Sequence, residues 1–249
     1  GDGDGDGDGD GDGDGDGDGD GDGDGDGDGD AVAVLFVGNS YTAYNSLHQW
    51  VATIAQEAGI DLTAEAITVG GQNFEGHAAT ESTVSSIANR AYDAVVLQGQ
   101  SVEPWLGTEN FITSGLALSE PVCASGRAAY FFETWARAAG SSVYEIDPAV
   151  TTPDALQMKL TEGYAMLAAA SACGEVAPVG QAWQQVWSMM PAPALHTADL
   201  SHPNPLGSYL AALVLARDIA GVEPAGAWSP QGLAAMDVMT VQMAAAAAP

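Results

Sequence analysis

Basic residues are scarce in this sequence. The chain of 249 residues has 5 Lys and Arg against 34 Asp and Glu, which gives a formal net charge of −29. The five bases are dispersed along the chain, at Arg90, Arg127, Arg137, Lys159 and Arg217. They are too few to neutralise a phosphate backbone or to bind an anionic membrane surface. We therefore expect neither nucleic acid nor such a membrane as a partner.

Cysteine, histidine and long apolar runs are also in short supply. Two cysteines are too few for a disulfide-built scaffold, and they lack the spacing of a metal site. None of the 4 histidines lies four residues from another, so the sequence predicts no metal and no other cofactor. No run of about 18 apolar residues is present, and we expect no transmembrane segment.

The first 30 residues consist only of alternating Gly and Asp and contain 15 of the 34 acidic residues. With no apolar residue to bury, this segment is predicted to be a disordered, solvated tether. Weak cation binding is an alternative, but calcium-binding β-helix repeats also need periodic apolar residues. The chain begins with Gly, so a removed signal peptide would not be visible. The acidic tether favours a secreted, periplasmic or cell-surface bacterial protein.

Beyond the tether, residues 31–249 alternate between strand-like and helix-like patterns and are predicted to form one domain. Its core is expected over 31–221, with a C-terminal helix at about 231–247. Such alternation is typical of a three-layer α/β/α fold with a parallel, doubly wound, flavodoxin-like sheet. Five short apolar runs read as its strands, namely 31–37, 62–69, 93–97, 128–132 and 175–180.

Chemically useful residues follow the first three strands, where ligands bind in sheets of this kind. Gly38-Asn39-Ser40 would expose a serine hydroxyl on the strand-to-helix bend. Gly70-Gly71 would allow an outward-facing backbone N–H, and Gln98 and Gln100 supply amide donors. Each loop alone is also compatible with ordinary turn chemistry.

Asp199 and His202 lie three residues apart on a short loop before a predicted helix. At that spacing the carboxylate can bind one imidazole nitrogen while the other faces outward, as a general base requires. An N-terminal capping cluster for the helix is the alternative. Together with a serine and backbone N–H groups on the same rim, the pair completes the components of acyl transfer.

Four sequence blocks resemble the SGNH (GDSL-type) hydrolase superfamily. They are Val34-Leu-Phe-Val-Gly-Asn-Ser-Tyr-Thr42, Val69-Gly-Gly71, Val95-Val-Leu-Gln-Gly-Gln-Ser101, and Asp199-Leu-Ser-His-Pro-Asn204 with Gly207-Ser-Tyr-Leu-Ala-Ala212. Two further segments are similar to an uncharacterised bacterial branch of the superfamily, namely Thr134-Trp-Ala-Arg137 and Val176-Ala-Pro-Val-Gly-Gln-Ala-Trp183.

The resemblance implies a role for each matching residue. Ser40 corresponds to the nucleophile, His202 to the general base and Asp199 to the residue that orients the base. The N–H groups of Ser40 and Gly71 would line the oxyanion hole. The family's third donor is an asparagine, for which Gln100 is the nearest equivalent.

The sequence departs from the family pattern in two places. Gln98 competes with Gln100 for the place of the missing asparagine. The first block reads Gly-Asn-Ser where the family usually has Gly-Asp-Ser.

Further residues are candidates for substrate contact or for a disulfide. Gln98, Asn39, His77, Trp135 and Trp183 could contact substrate, although the tryptophans could equally cover the end of the core. Cys123 and Cys173 precede the fourth and fifth strands, at the opposite rim from the candidate site. If these strands are neighbours, the two cysteines could form a disulfide.

These expectations define a serine esterase that acts on a small-molecule or carbohydrate ester, O-acetyl groups on carbohydrate included. A non-catalytic glycan-binding relative and a surface structural protein acting through its tether remain the alternatives. The sequence identifies neither the acyl group nor the oligomeric state.

Overall fold

A parallel sheet of five strands, in the order β2-β1-β3-β4-β5, forms the centre of the molecule. The computed structural model describes residues 31–89 and 91–249, so the predicted tether lies outside the described residues. The predicted α/β/α fold class is confirmed. The strands are β1 (Val32–Gly38), β2 (Leu62–Thr68), β3 (Ala94–Leu97), β4 (Ala128–Phe132) and β5 (Gly174–Ala177).

Helices cover both faces of the sheet. Helices α2, α8, α9 and α10 supply the buried residues of one face, and α3, α4, α6 and α7 those of the other. The helices described are α1 (Ser40–Ala43), α2 (Leu47–Glu57), α3 (Phe74–Ala78), α4 (Glu81–Ala88), α5 (Glu103–Leu106), α6 (Thr108–Ala124), α7 (Pro153–Ala170), α8 (Val179–Ser188), α9 (Pro205–Ala220) and α10 (Ala235–Ala247).

Strand β1 shows why its sequence is apolar without interruption. Val34 and Phe36 belong to the core on one face, whereas Leu35 and Val37 belong to the core on the other. Successive side chains of a strand point to opposite faces, so a strand covered on both sides needs apolar residues at every position.

The fifth strand ends earlier than predicted, at Ala177 rather than residue 180. Pro178 follows it, and proline has no N–H with which to extend the ladder. Helix α8 starts at Val179, so Trp183 and Trp187 lie on a helix. Ser46 precedes α2 with a left-handed backbone (φ 52°), and its side chain forms no capping bond, although Ser46 and Gln49 have the spacing of a capping box.

The C-terminal helix extends the core beyond the predicted limit of residue 221. Helix α10 begins at Ala235, and its Val241, Ala244 and Ala245 are buried in the same cluster as helices α8 and α9.

Cys123 and Cys173 form a disulfide with a Cα–Cα distance of 5.4 Å, as the sequence suggested. The condition for this bond is met because β4 and β5 are neighbours in the sheet. The bond lies at the amino ends of these strands, away from the candidate site. No helix within the described ranges is long and apolar enough to cross a membrane.

Candidate active site

The serine lies at the sharp bend between β1 and α1. Asn39 caps this short helix, and its Oδ1 accepts a hydrogen bond of 3.1 Å from the N–H of Tyr41. The backbone oxygen of Asn39 also accepts the N–H groups of Thr42 and Ala43. The bend therefore places the Ser40 side chain at the carboxyl end of the central strand, half-buried at the rim of the sheet.

Asp199 and His202 lie on a loop of residues 196–203, called the histidine loop below. This loop closes on itself just before α9. An antiparallel bridge joins His196 to Pro203, and the N–H of Thr197 donates to the oxygen of His202 at 2.8 Å. Inside the loop, Leu200 has a positive φ of 64°, a conformation that costs energy for a side chain of this kind. This turn brings Asp199 and His202 to the same side of the loop.

Three side chains form a hydrogen-bonded relay at this rim. The Oγ of Ser40 lies 2.8 Å from Nε2 of His202, and Nδ1 of His202 lies 2.5 Å from Oδ2 of Asp199. Residues predicted at positions far apart in the chain are thus brought together. The arrangement fixes the imidazole orientation and aims its second nitrogen at the hydroxyl.

The carboxylate of Asp199 has hydrogen-bond donors on both oxygens. Besides the imidazole, it accepts the N–H groups of Ser201 and His202, each at 2.9 Å, and the Thr197 hydroxyl at 2.8 Å. Burial acts to raise the pKa of Asp199, but these hydrogen bonds outweigh it and hold the pKa well below its usual range. The residue is therefore an anion at any pH at which His202 could act as a base.

A column of stacked aromatic rings supports the relay from beneath. Tyr41 stacks on Trp135 with ring centroids 4.4 Å apart, and Trp135 stacks on Trp183 at 4.2 Å. The indole N–H of Trp135 donates to the oxygen of Ser201, and the hydroxyls of Tyr41 and Ser201 are 2.9 Å apart. The prediction that Trp135 and Trp183 contact substrate is wrong, because both are fully buried. They cover the core and hold the histidine loop.

A cavity of about 200 Å³ opens beside the relay. It is lined by residues from the loops after β1, β2, β3 and β4 and from the histidine loop, namely Asn39, Ser40, Tyr41, Gly71, Gln100, Ser101, Arg137, Ser201 and His202. Within the described part of the chain, no cluster of His, Cys, Asp and Glu could hold a metal ion.

Solved structures share this fold. A DUF4886 family protein from Bacteroides uniformis is 17% identical, with a TM-score of 0.76 over 87% of this chain and 94% of that one. A candidate SGNH hydrolase from Slackia heliotrinireducens is 29% identical, with a TM-score of 0.63 over 76% of this chain and 100% of that one. An acetyl-xylooligosaccharide esterase mutant from Geobacillus is 14% identical, with a TM-score of 0.56 over 76% and 94% of the two chains. No protein-family model and no curated protein sequence matches the chain.

The chain shares the fold of the SGNH hydrolase superfamily. The resemblance seen in the four sequence blocks is thereby confirmed.

The oxyanion-hole candidates Ser40, Gly71 and Gln100 line the cavity. Gly71 has a positive φ of 69°, and no atom lies within 4 Å of the position a Cβ would take. Glycine is therefore favoured here by the backbone conformation and not by a lack of space. Neither the N–H of Ser40 nor that of Gly71 donates a hydrogen bond within the described residues. Both are therefore available to a developing oxyanion.

Of the two glutamines proposed for the missing asparagine, Gln100 is the one at the cavity. Its Oε1 accepts the N–H of Val102 at 2.9 Å, and its Nε2 donates to the hydroxyl of Ser101 at 3.2 Å. Gln98 is fully buried instead. Its Oε1 accepts the N–H of Asn39 and the hydroxyl of Thr42, both at 3.0 Å. The prediction that Gln98 contacts substrate is wrong, because its oxygen binds the serine bend from inside.

The contacts of Asn39 explain why this chain has Gly-Asn-Ser where the family it resembles usually has Gly-Asp-Ser. Its amide nitrogen donates to the oxygen of Gln72 at 2.9 Å and to that of Gly99 at 3.4 Å. The side chain thus joins the loops that follow β1, β2 and β3. A carboxylate could not donate to two carbonyl groups. Asn39 borders the cavity, but its side-chain donors and acceptor are already satisfied by the protein, which argues against the predicted substrate contact.

His77 is likewise removed from the substrate. It is fully buried, and its Nε2 donates to the oxygen of Gly38 at 2.9 Å. Burial lowers the pKa of His77, which favours the neutral ring. The prediction of a substrate contact at His77 is wrong, and the residue instead fixes the end of β1.

Sequence reasoning missed two residues at the site. Tyr44 stacks on the imidazole of His202 with centroids 4.4 Å apart and planes 12° apart. Arg137 lines the cavity, and its Nη2 donates to the hydroxyl of Ser101 at 2.7 Å. A signal for Arg137 was present, since it is a base placed just after the carboxyl end of a strand in a chain with only 5 bases.

Proposed function

We propose that this protein is a serine hydrolase that cleaves carboxylic esters. The observation that carries the proposal is the relay, with Ser40 Oγ 2.8 Å from His202 Nε2 and His202 Nδ1 2.5 Å from Asp199. A binding module has no need of a serine hydroxyl held against an oriented base. The SGNH hydrolase fold supports the same reaction class.

In the proposed reaction, Ser40 Oγ attacks the ester carbonyl carbon while His202 Nε2 takes the hydroxyl proton. The N–H groups of Ser40 and Gly71 stabilise the oxyanion of the tetrahedral intermediate. The bond to the alcohol oxygen then breaks, and His202 returns the proton to the leaving alcohol. Water deprotonated by His202 attacks the acyl-enzyme, releases the acid and restores Ser40.

The cavity size favours a short acyl group. A volume of about 200 Å³ lies below the usual range for pockets that enclose drug-sized ligands, so only part of a larger substrate would enter. Acetyl groups on carbohydrate fit this limit, and one structural neighbour is an acetyl-xylooligosaccharide esterase. The buried tryptophans no longer support a sugar-stacking surface.

We also propose that the protein works outside the cytosol. The disulfide between Cys123 and Cys173 supports an oxidising compartment, and the acidic tether at residues 1–30 is compatible with a secreted or surface-attached domain.

Removal of the serine tests the function directly. Ser40→Ala should lose labelling by a fluorophosphonate probe and should lower turnover of p-nitrophenyl acetate by about 10⁴–10⁶-fold. A chain that starts at Ala31 is the control and should retain both, because all three residues of the relay lie within 31–249. The proposal would be contradicted if the wild type bound glycan but was not labelled by the probe. It would also be contradicted if activity were lost on removal of residues 1–30 but kept in Ser40→Ala.

A further inference from the structure

Arg137 differs from two other cations of the chain in having no acidic partner. Lys159 lies 2.8 Å from Glu162, and Arg217 lies 2.7 Å from Asp218. Among the described residues, no carboxylate lies within ion-pair distance of Arg137. The cation that lines the cavity together with Ser40 is thus without a counter-charge from the described residues.

The guanidinium of Arg137 keeps most of its hydrogen-bonding capacity unused. It has five N–H donors, and its one hydrogen bond to the described residues is that of Nη2 to the hydroxyl of Ser101. Its Nε is buried and has no partner. Buried donors without partners are costly, so each one requires an explanation, and a bound ligand or ion supplies one.

Hydrogen bonds hold the backbone on both sides of Arg137, so the position from which its side chain extends is fixed. The preceding N–H, of Ala136, donates to Oε1 of Gln157 at 2.8 Å, and Gln157 in turn donates to the buried Glu133 at 2.8 Å. The following N–H, of Ala138, donates to the oxygen of Leu200 at 2.9 Å. Arg137 and the histidine loop are therefore fixed to each other.

The carboxylate of Asp199, on the loop fixed to Arg137, already has its own hydrogen-bond donors. It accepts hydrogen bonds from the imidazole and from three other donors, and it orients His202. An external anion is therefore the natural partner of Arg137. A planar carboxylate matches the planar guanidinium better than other anions do, because two parallel hydrogen bonds can form.

We propose that Arg137 binds a carboxylate of the substrate, so that the enzyme acts on esters that carry an ionised acid group. The class includes acetylated hydroxy acids and acid sugars, and half-esters of dicarboxylic acids. The inference rests on the proposed esterase function. An overall charge of −29 disfavours anionic ligands, and a cation inside the cavity would admit the ones that fit.

Two matched ester pairs test the proposal, each differing by one negative charge. In the first, 4-acetoxybenzoate is compared with its methyl ester, which places the charge on the alcohol side. In the second, p-nitrophenyl hydrogen adipate is compared with p-nitrophenyl methyl adipate, which places it on the acyl side. The readout is the ratio of kcat/KM for the charged and neutral member of each pair.

In the wild type this ratio should reach about 10–100 in at least one pair, the range of one hydrogen-bonded charge pair. It should fall to near one in Arg137→Gln and be partly kept in Arg137→Lys. Ser101→Ala is the control, because it removes the protein acceptor of Arg137 without removing the charge, and it should keep the preference.

A wild-type ratio near or below one in both pairs would overturn the inference. So would an Arg137→Gln variant that lowers turnover of charged and neutral esters alike, since Arg137 would then only position the site.

Failure of the esterase proposal is distinguishable from failure of the inference. If the wild type hydrolyses none of the four esters, calorimetric titration with 4-acetoxybenzoate decides the role of Arg137. If the wild type binds 4-acetoxybenzoate and Arg137→Gln does not, the carboxylate site is supported and only the esterase proposal is overturned. Absence of binding to the wild type would overturn both.

Discussion

At the scale of single residues, the candidate site depends on side chains that hold loops together as much as on those proposed to react. Asn39 joins three loops through its amide group, and the oxygen of Gln98 holds the serine bend from inside. The sequence placed these residues correctly at the rim, but it could not show their depth. His77 and the two tryptophans were assigned to substrate contact for the same reason, since a position after a strand can face outward or inward.

Asn39→Asp should destabilise the protein, although aspartate is the usual residue of the family pattern. The substitution removes both donors and places a carboxylate against the oxygens of Gln72 and Gly99. We expect the free energy of unfolding to fall by about 1–3 kcal/mol in urea denaturation at neutral pH. Thr42→Val, which removes one donor to Gln98, is a milder control. An Asp variant as stable as the wild type would show that the amide bonds contribute little.

At the scale of elements, the close approach of helix α8 to the loop after β4 fixes the geometry of that loop. Gly180 lies where any Cβ would come within 2.1 Å of Gln157 Nε2 and 2.3 Å of the oxygen of Thr134. The sequence predicted a strand through Gly180 because Val176–Val179 is apolar apart from its proline. Burial of a helix start and of a strand end produces the same short apolar pattern, so only the proline distinguishes the two.

Gly180→Ala should therefore separate the helix from the loop. We expect a loss of about 1–3 kcal/mol in the free energy of unfolding, measured by urea denaturation, because overpacking displaces backbone here and not only a flexible side chain. Gly70→Ala is the matched control, since nothing lies within 4 Å of its Cβ position and its φ is not positive. Equal stabilities of the two variants would contradict the close-contact explanation.

A buried carboxylate supports the same loop and makes stability depend on pH. Burial raises the pKa of Glu133 above its usual value, although Thr161, Gln181 and Gln157 donate hydrogen bonds to it. The folded state therefore holds the proton more tightly than the unfolded state. The stability due to this proton is fully present below the unfolded pKa and is lost as pH rises through the folded one.

Glu133→Gln should remove that dependence. The stability of the wild type relative to Glu133→Gln should fall as pH rises above about 4.5, by at most about 1.4 kcal/mol per pH unit. Urea denaturation of both proteins from pH 4 to 8 measures the difference. Glu81→Gln, at an exposed position, controls for the loss of one negative charge. A difference that stays constant with pH would refute the assignment.

At the scale of the whole molecule, the sequence predicted the five-stranded parallel sheet and the placement of the relay, and it allowed the disulfide if β4 and β5 were neighbours. Uninterrupted apolar strands alternating with helices leave few other folds, and strands of such a sheet deliver their following loops to one rim. The burial of α10 was not predicted, because a helix of alanine and methionine has no apolar stripe to distinguish a core face from a solvent face. Alanine fits both environments.

The disulfide should stabilise the molecule without affecting the reaction. It closes a loop of 50 residues at the rim opposite the relay. Changing both Cys123 and Cys173 to Ala should lower the free energy of unfolding by about 2–4 kcal/mol, measured by thermal or chemical denaturation. Ester turnover at low temperature should remain at the wild-type level. Loss of turnover in a variant that is still folded would contradict this prediction and would show that the disulfide influences the active site.

The parallel indoles of Trp135 and Trp183 also give the molecule an optical signature. Indoles fixed in an asymmetric packed environment contribute circular dichroism in the near ultraviolet, whereas the far ultraviolet mainly reports the backbone. Melting curves recorded in the two regions would therefore compare the aromatic packing beneath the candidate site with the scaffold as a whole. Coincident curves would show that the two lose their order in a single cooperative event.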